Sequence, residues 1–331
     1  VKLATLNTYW GRRSALVLGE DLIDLSAACA LRLHQDGGQT MRQALRLAPL
    51  EMPPAIGDVL ALPDGLERAR ELADWIASAQ QRDPERLASI RWRMGAVPLA
   101  PAIPEPSKIW CMGANYVDHR REMAAKHGGP PLAERLQGFL KAPSALIGPF
   151  DDVVLPPESQ HVDHEMELAY VIGRRARRVP EERAFEYIAG YVAFNDVSAR
   201  DVPQLDNRRM DRGKGFDTFA VMGPWFVTQD EVPDPHNLNI TLKVNGELKQ
   251  NGNTRDLMKD IPYQVAWLTA AMTLEPGDVV STGSPSGVSP LKPGDLMEGA
   301  VERVGYIRNR VVGDPAPRSG YGVPEGGLAS A

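Results

Sequence analysis

The sequence predicts an α+β, β-rich fold: a large sheet-forming domain preceded by a small N-terminal α+β domain. Three observations lead there. Strand-like runs recur after residue 108: KIWCMG (108–113), ELAYVIG (167–173), GYVAFND (190–196), LNITLKVNG (238–246) and DVVSTG (278–283). Gly, Pro and Asp turns separate them, as expected of a sheet-rich domain. Residues before about 100 instead mix short strand-like runs with helical spacing. Between the two zones lies VPLAPAIPEPSK (97–108), with four prolines in twelve residues, which forbids helix and suits an extended linker. The expected boundaries are 1–100 for the small domain, 101–313 for the large one and 314–331 for a tail.

In chain order, VKLATL (1–6) and SALVLG (14–19) read as strands. Gly19-Glu20-Asp21 reads as a turn, and LIDLS (22–26) as the returning strand. TMRQALRLA (40–48) and LERARELADWIASAQQ (66–81) carry helical spacing. No polar cluster in this zone suggests chemistry, so it reads as an accessory domain. The last stretch, GDPAPRSGYGVPEGGLASA, is rich in Gly, Pro and Ala and is expected to be loose.

Composition narrows the function classes. The chain has 331 residues, 43% apolar and 24% charged, with a formal net charge of −6 and a pI near 5.6. An acidic balance argues against nucleic-acid and anionic-membrane partners, which want a basic surface. It leaves room for a small anionic substrate, which needs only local positive charge. No apolar run approaches the roughly 18 residues of a membrane helix. VKLATLNTYWGRR lacks a signal peptide's order of charge, apolar run and small residues. The two cysteines, Cys29 and Cys111, form neither a disulfide framework nor a zinc cluster. A cytoplasmic protein is expected.

The densest chemistry is DHEMEL (163–168). On a strand, residues i and i+2 share a face, so Glu165 and Glu167 project together while Met166 and Leu168 face the other way. Two adjacent carboxylates repel, and burial worsens this. Water, a basic side chain or a bound cation would relieve it. A Glu-x-Glu on a half-wet strand is commonly a solvated face. Here, however, ELAYVIG continues as an almost wholly apolar run, which suggests a strand buried on both faces. GYVAFND, equally apolar, ends on a third carboxylate, Asp196. Three carboxylates without cysteine suit a hard cation, Mg²⁺, Mn²⁺ or Ca²⁺. HEMEL lacks the second histidine of H-E-x-x-H, which disfavours zinc. His161 and His164 could still ligate, but read first as structural or supporting.

Three further stretches contribute. In NYVDHRREMAAKHGG (115–129), Asp118 to Lys126 reads as helix, which puts His119 and Glu122 on one face as a candidate base dyad. The following HGGPP would suit a segment that closes over a site. Lys214 sits between two glycines in RGKGFDTF, where the backbone is free to adopt unusual torsions and approach a ligand. It is a candidate for binding a carboxylate or an enolate oxygen. GDVVSTGSPSGV (277–288) runs from a strand into a hydroxyl- and glycine-rich loop able to offer N–H and O–H groups to an anion; it lacks the G-K-[ST] of a P-loop.

Together these segments resemble the fumarylacetoacetate hydrolase family. The resemblance runs from residue 107 to about 312, through KIWCMGANYVDHRREM, DHEMELAYVIG, GYVAFNDVSARD, GKGFDTFAVMGPW, LKVNGELKQNGNT and EPGDVVSTGSPSGV followed by KPGDLMEGAVERVGYIRN. It implies a mixed β-roll catalytic domain, a homodimer and a divalent cation, Mg²⁺ or else Mn²⁺ or Ca²⁺. It further implies Glu165, Glu167 and Asp196 as metal ligands, His119 and Glu122 as the dyad of acylpyruvase-like members, and Lys214 as the lysine that polarises substrate. Arg200 and Gln204 fall near substrate-contacting positions, with Pro203 blurring the local match. Thr282, Gly283 and Ser284 stand where most members read TGTP, serine preserving the hydroxyl. The implied reaction is hydrolysis of a C–C bond in a 2,4-diketo acid, an acylpyruvate or fumarylpyruvate, in catabolism of aromatic or related compounds. Decarboxylation or isomerisation of oxaloacetate-like or dienedioate acids is the rival within the family, and a non-catalytic metal- or ligand-binding module is the rival outside it. The arginines of DNRRMDR (206–212) would either receive a second carboxylate or form a solvated face.

Overall fold

The computed structural model describes residues 1–127, 136–207, 209–317 and 319–324. The strands that matter here are β1 (Lys2–Thr8), β2 (Gly11–Leu18), β3 (Asp21–Asp24), β4 (Arg91–Arg93), β5 (Ile109–Gly113), β6 (Gln137–Lys141), β7 (Met166–Ile172), β8 (Ile188–Asp196), β9 (Phe226–Thr228) and β10 (Val279–Ser281). They lie in one twelve-stranded mixed sheet, in the order β4–β3–β2–β1–β9–β8–β7–β10–β5–β6. A second sheet of five strands orders Glu247–Asn253, Asn239–Val244, Leu296–Val301, Gly305–Gly313 and Val153–Leu155. The fold is α+β and sheet-rich, and among the described residues there is no closed barrel.

Every residue of β7 and β8 is buried, as expected for strands covered on both faces. Their side chains alternate between two cores. Met166, Leu168, Tyr170 and Ile172 join the core shared with the second sheet, beside Leu242, Met297 and Ile307. Ala169 and Val171 face the other way, onto a core that also holds Phe139, Phe194 and Cys111. Glu167 is two residues from Ala169, so it belongs to this second face.

That same core contains Leu3, Leu16 and Ile23 together with side chains of four N-terminal helices: α1 (Leu25–Gln35), α2 (Met41–Glu51), α3 (Ile56–Ala61) and α4 (Gly65–Arg82). The N-terminal and C-terminal zones thus share one sheet and one core. Helix α4 buries Ala69, Leu72, Ile76 and Ala79, a stripe at helical spacing. The sequence reading carried the third strand to Ser26, but it stops at Asp24. There the carboxylate accepts the Ala27 N–H as a helix cap and binds Arg13, starting a helix that period-2 reading concealed.

The proline-rich stretch 97–108 is extended but not a solvent-exposed linker. Asn7 donates its N–H to Pro98 O at 2.8 Å and Ala100 to Thr5 O at 2.9 Å, while Leu99, Ala102 and Ile103 are buried. Proline has no N–H, so burying it leaves no donor unpaired. The stretch expected to be loose docks over residues 319–324: Val323 is buried, its N–H reaches Glu158 O at 2.8 Å, and Arg212 binds Tyr321 O. No helix among the described residues is long and apolar enough to cross a membrane.

Candidate metal centre and active site

Antiparallel pairing of β7 with β8 sets Met166 opposite Asn195, which brings Glu165, Glu167 and Asp196 to the same end of the two strands. One carboxylate oxygen from each lies within 4.8 Å of the others, and all three residues are buried. The Asn195 side chain accepts the Glu165 N–H at 2.7 Å, and Asp196 donates its N–H to Glu165 O at 2.9 Å. The acids are therefore fixed through their backbones before any side-chain partner is counted.

Basic groups meet the cluster from three elements. Lys214, at the end of the short helix Asp211–Lys214, donates to Glu165 Oε2 at 2.5 Å and Asp196 Oδ2 at 2.6 Å. Its Nζ also lies 4.7 Å from the Phe139 ring centroid. Lys141, at the end of β6 and fully buried, donates to Asp196 Oδ1 at 2.5 Å and Val197 O at 3.1 Å. Arg200 bridges Asp163 Oδ2 at 2.8 Å and Glu165 Oε1. Burial works to raise the Glu165 pKa, but Arg200, Lys214 and His119 outweigh it and hold the carboxyl well below its usual range. For Glu167, burial, Asp196 and Glu165 all act in one direction and push it well above that range, although Ser281 O–H and Gly283 N–H (2.9 Å) bond to Oε2. Lys141, Lys214 and Arg200 bond to Glu165 and Asp196, and among the described residues Glu167 has no lysine or arginine in ion-pair range. Buried oxygen donors drawn together, one of them without a basic partner, and neither sulfur nor imidazole among them, fit a hard divalent cation.

Helix α5 (Val117–His127) brings His119 and Glu122 to this cluster. The imidazole Nδ1 lies 3.4 Å from Glu122 Oε2 and Nε2 lies 3.4 Å from Glu165 Oε1. Burial lowers the His119 pKa, but the two carboxylates overcome it and raise it. The HGGPP segment after the helix lies largely outside the described residues.

The other residues singled out from sequence fall at varied places. Thr282 donates its hydroxyl to Leu168 O at 2.9 Å, and Ser284 Oγ accepts from Gln250, so both buried hydroxyls already bond within the protein. Gly283, at φ +102°, aims its N–H at Glu167. Gln204 is exposed on the short helix Val202–Leu205 and is not brought to the acids. The glycines around Lys214 do not serve unusual torsions, as neither has positive φ. A Cβ at Gly213 would lie 2.7 Å from Ala199 O and one at Gly215 2.8 Å from Asp211 O, so they allow tight packing instead. In the arginine-rich loop, Arg212 is held by Asp206 through two bonds of 2.8 Å, and Arg208 lies outside the described residues. His164 bonds Gln250 and Ser289, and His161 bonds Asp163, matching their supporting reading.

Sequence reasoning missed Lys141, Asp163 and Gln250. The alternation in GFLK, with Phe139 and Lys141 on one face of β6, was the only signal for the first. Cys111 also borders the site: burial, Asp196 and Glu167 push its thiol far up. Burial and Glu51 push Cys29 to about 11. Both thiols should therefore resist a disulfide reagent at pH 8 and react only on unfolding, which thiol titration with and without denaturant will show.

Residues 108–312 match the family profile described as fumarylacetoacetate (FAA) hydrolase, C-terminal. An uncharacterized protein of Pyrococcus abyssi is 45% identical over 213 residues, 63% of this chain and 92% of that protein. A human mitochondrial protein named oxaloacetate tautomerase is 42% identical over 222 residues, 65% of this chain and 69% of that protein. Maleylpyruvate hydrolase from Sphingobium sp. SYK-6, solved in complex with manganese (II) ion and pyruvate, is 32% identical with a TM-score of 0.70, covering 95% of this chain and 99% of that one. With the profile spanning well over half its length, the chain belongs to the fumarylacetoacetate hydrolase family of enzymes.

Proposed function

We propose that the protein is a divalent-cation-dependent hydrolase that splits a C–C bond of a 2,4-diketo acid, releasing pyruvate and a second carboxylic acid. The observation that carries this reading is the His119–Glu122 dyad set against the acid cluster, with Nε2 of the imidazole turned to Glu165. Glu165, Glu167 and Asp196 would hold the cation, which when bound supplies Lewis-acid polarisation of the keto acid. Mg²⁺ or Mn²⁺ suits the all-oxygen donors, and the Mn²⁺ and pyruvate of the maleylpyruvate hydrolase complex support this choice.

The chain's own groups supply the rest. Glu122 faces Nδ1 and would keep its proton there, leaving Nε2 as the base that takes a proton from water. Hydroxide so formed adds to the distal carbonyl, and C–C cleavage leaves its electron pair on the pyruvate fragment as an enolate. Lys214 would neutralise the charge growing on that oxygen within a buried site, where such a contact is strongest. The proton taken up at His119 Nε2 then passes to the enolate carbon and completes pyruvate.

A second reading is keto–enol tautomerisation of an oxaloacetate-like acid. It is favoured by the 42% identity to the protein named oxaloacetate tautomerase and needs only proton transfer at His119. Chelator-treated protein should be given Mg²⁺, Mn²⁺ or Ca²⁺ and offered acylpyruvates, maleylpyruvate and enol-oxaloacetate. Cation-dependent release of pyruvate in stoichiometry with substrate loss is expected. Enol decay without any carbon–carbon cleavage would replace the hydrolase by the tautomerase.

A further inference from the structure

We propose that Gln250 is a positioning residue that couples the base dyad to the acid cluster. The side chain is fully buried, on the strand Glu247–Asn253 of the second sheet, and is not part of the site itself. Its Oε1 accepts the Met166 N–H at 2.9 Å and lies 2.9 Å from His164 Nδ1. Its Nε2 donates to Ser284 Oγ at 2.7 Å and Pro285 O at 3.1 Å. The amide orientation is forced. Met166 N–H can only donate and Pro285 O can only accept, so a flipped amide would oppose like groups at both ends. His164 therefore carries its proton on Nδ1, and Nε2 accepts from the Ser289 hydroxyl, 3.0 Å away.

The two ends of this amide reach the two halves of the site. Met166 separates Glu165 from Glu167. Ser284 and Pro285 belong to the loop whose Gly283 N–H binds Glu167 and whose Gly287 N–H donates to Glu122 Oε2 at 3.0 Å. The loop and the Gln250 strand fit closely. A Cβ on Gly287, at φ +99°, would lie 2.0 Å from Lys249 O, and one on Gly252 would lie 2.4 Å from Pro285 Cβ. The pairing of this strand with Asn239–Val244 slips by one residue at Lys249, a bulge beside the residue that turns its amide to the loop.

The two ends differ in redundancy. Glu165 and Asp196 are also held by the β7–β8 ladder, Asn195, Arg200 and two lysines. The loop 284–287 is irregular; beside a long 3.4 Å bond from Ser284 Oγ to Met166 O, Gln250 is the described side chain that ties both Ser284 and Pro285 to β7. Loss of the amide should therefore loosen the Glu122 side and spare the acids.

The test compares the parent protein with Gln250→Met, which keeps length and removes all four bonds, and with the milder Gln250→Glu, which keeps the acceptor oxygen and, as the neutral acid, one of the two donor bonds. Hydrogen exchange of α5 and residues 282–289 should quicken about ten-fold in the first and less in the second, with β7 and β8 unchanged. Mn²⁺ affinity should hold within about two-fold, while kcat on an acylpyruvate falls roughly ten-fold or more with little change in KM. Unchanged exchange in α5 in both variants, or β7 and α5 loosening together with loss of Mn²⁺, overturns the proposal. The kinetic arm alone rests on the hydrolase reading. Loosened α5 in a protein that never turns over an acylpyruvate leaves the coupling standing and removes that reading.

Discussion

Asp196→Asn is expected to abolish turnover and to weaken divalent-cation binding by on the order of 100-fold or more, exceeding what loss of a supporting contact does. It is also expected to destabilise the fold by about 3 kcal/mol, since removing one partner strands the buried charge of the other. Asp196 is bonded by two buried ammonium groups at once, Lys141 on Oδ1 and Lys214 on Oδ2. Lys214 retains Glu165 in the variant, but Lys141 is left with amide and carbonyl oxygens only. Burial already lowers the Lys141 pKa against the pull of Asp196, so the lysine should shed its proton when that pull goes. Adding Lys141→Met to Asp196→Asn should recover much of the lost stability and none of the cation binding. Urea unfolding and Mn²⁺ titration of the two single variants and the double variant read both effects. A double variant no more stable than Asp196→Asn would refute the account of Lys141 as a charge that needs its acid.

His119→Gln should lower kcat by roughly 10²–10⁴, the range for a general base, while cation affinity changes little. The imidazole touches the cluster only through Glu165 at 3.4 Å, whereas Glu165 keeps Arg200, Lys214 and Ser198. Glu122→Gln should cost less, because Gln can still accept from the imidazole Nδ1–H through its carbonyl oxygen. Steady-state kinetics beside Mn²⁺ titration separate the roles. Equal losses of turnover and affinity in His119→Gln would mark the histidine as a structural prop.

Much of this site was legible in the sequence because strand periodicity is strict. Alternation in HEMEL placed Glu165 and Glu167 on one face, and the apolar run before Asp196 announced a buried strand. Helical spacing likewise joined His119 to Glu122. Lys141 was barely legible: it comes from β6, three places from β7 in the sheet order, and only the short alternation in GFLK marks a lysine that will be buried. Gln250 sits in LKQNG, an ordinary polar stretch, and acquires its partners from segments 84 and 34 residues away. Helix α1 was hidden because LID packs as strand before Asp24 caps the next turn. The proline stretch looked like a linker since composition reports torsion, while its burial depends on what β1 offers beside it.

The short strand β9 lies between β1 and β8, with Lys2 and Leu3 paired to Val227 and Phe226. A fragment beginning near residue 100 would bare that side of β9, with unpaired amides and carbonyls beside the uncovered ring of Phe226. Such a strip invites a neighbouring chain to add its own strand. The opening hairpin thus serves solubility as well as folding, shielding an otherwise adhesive border from self-association.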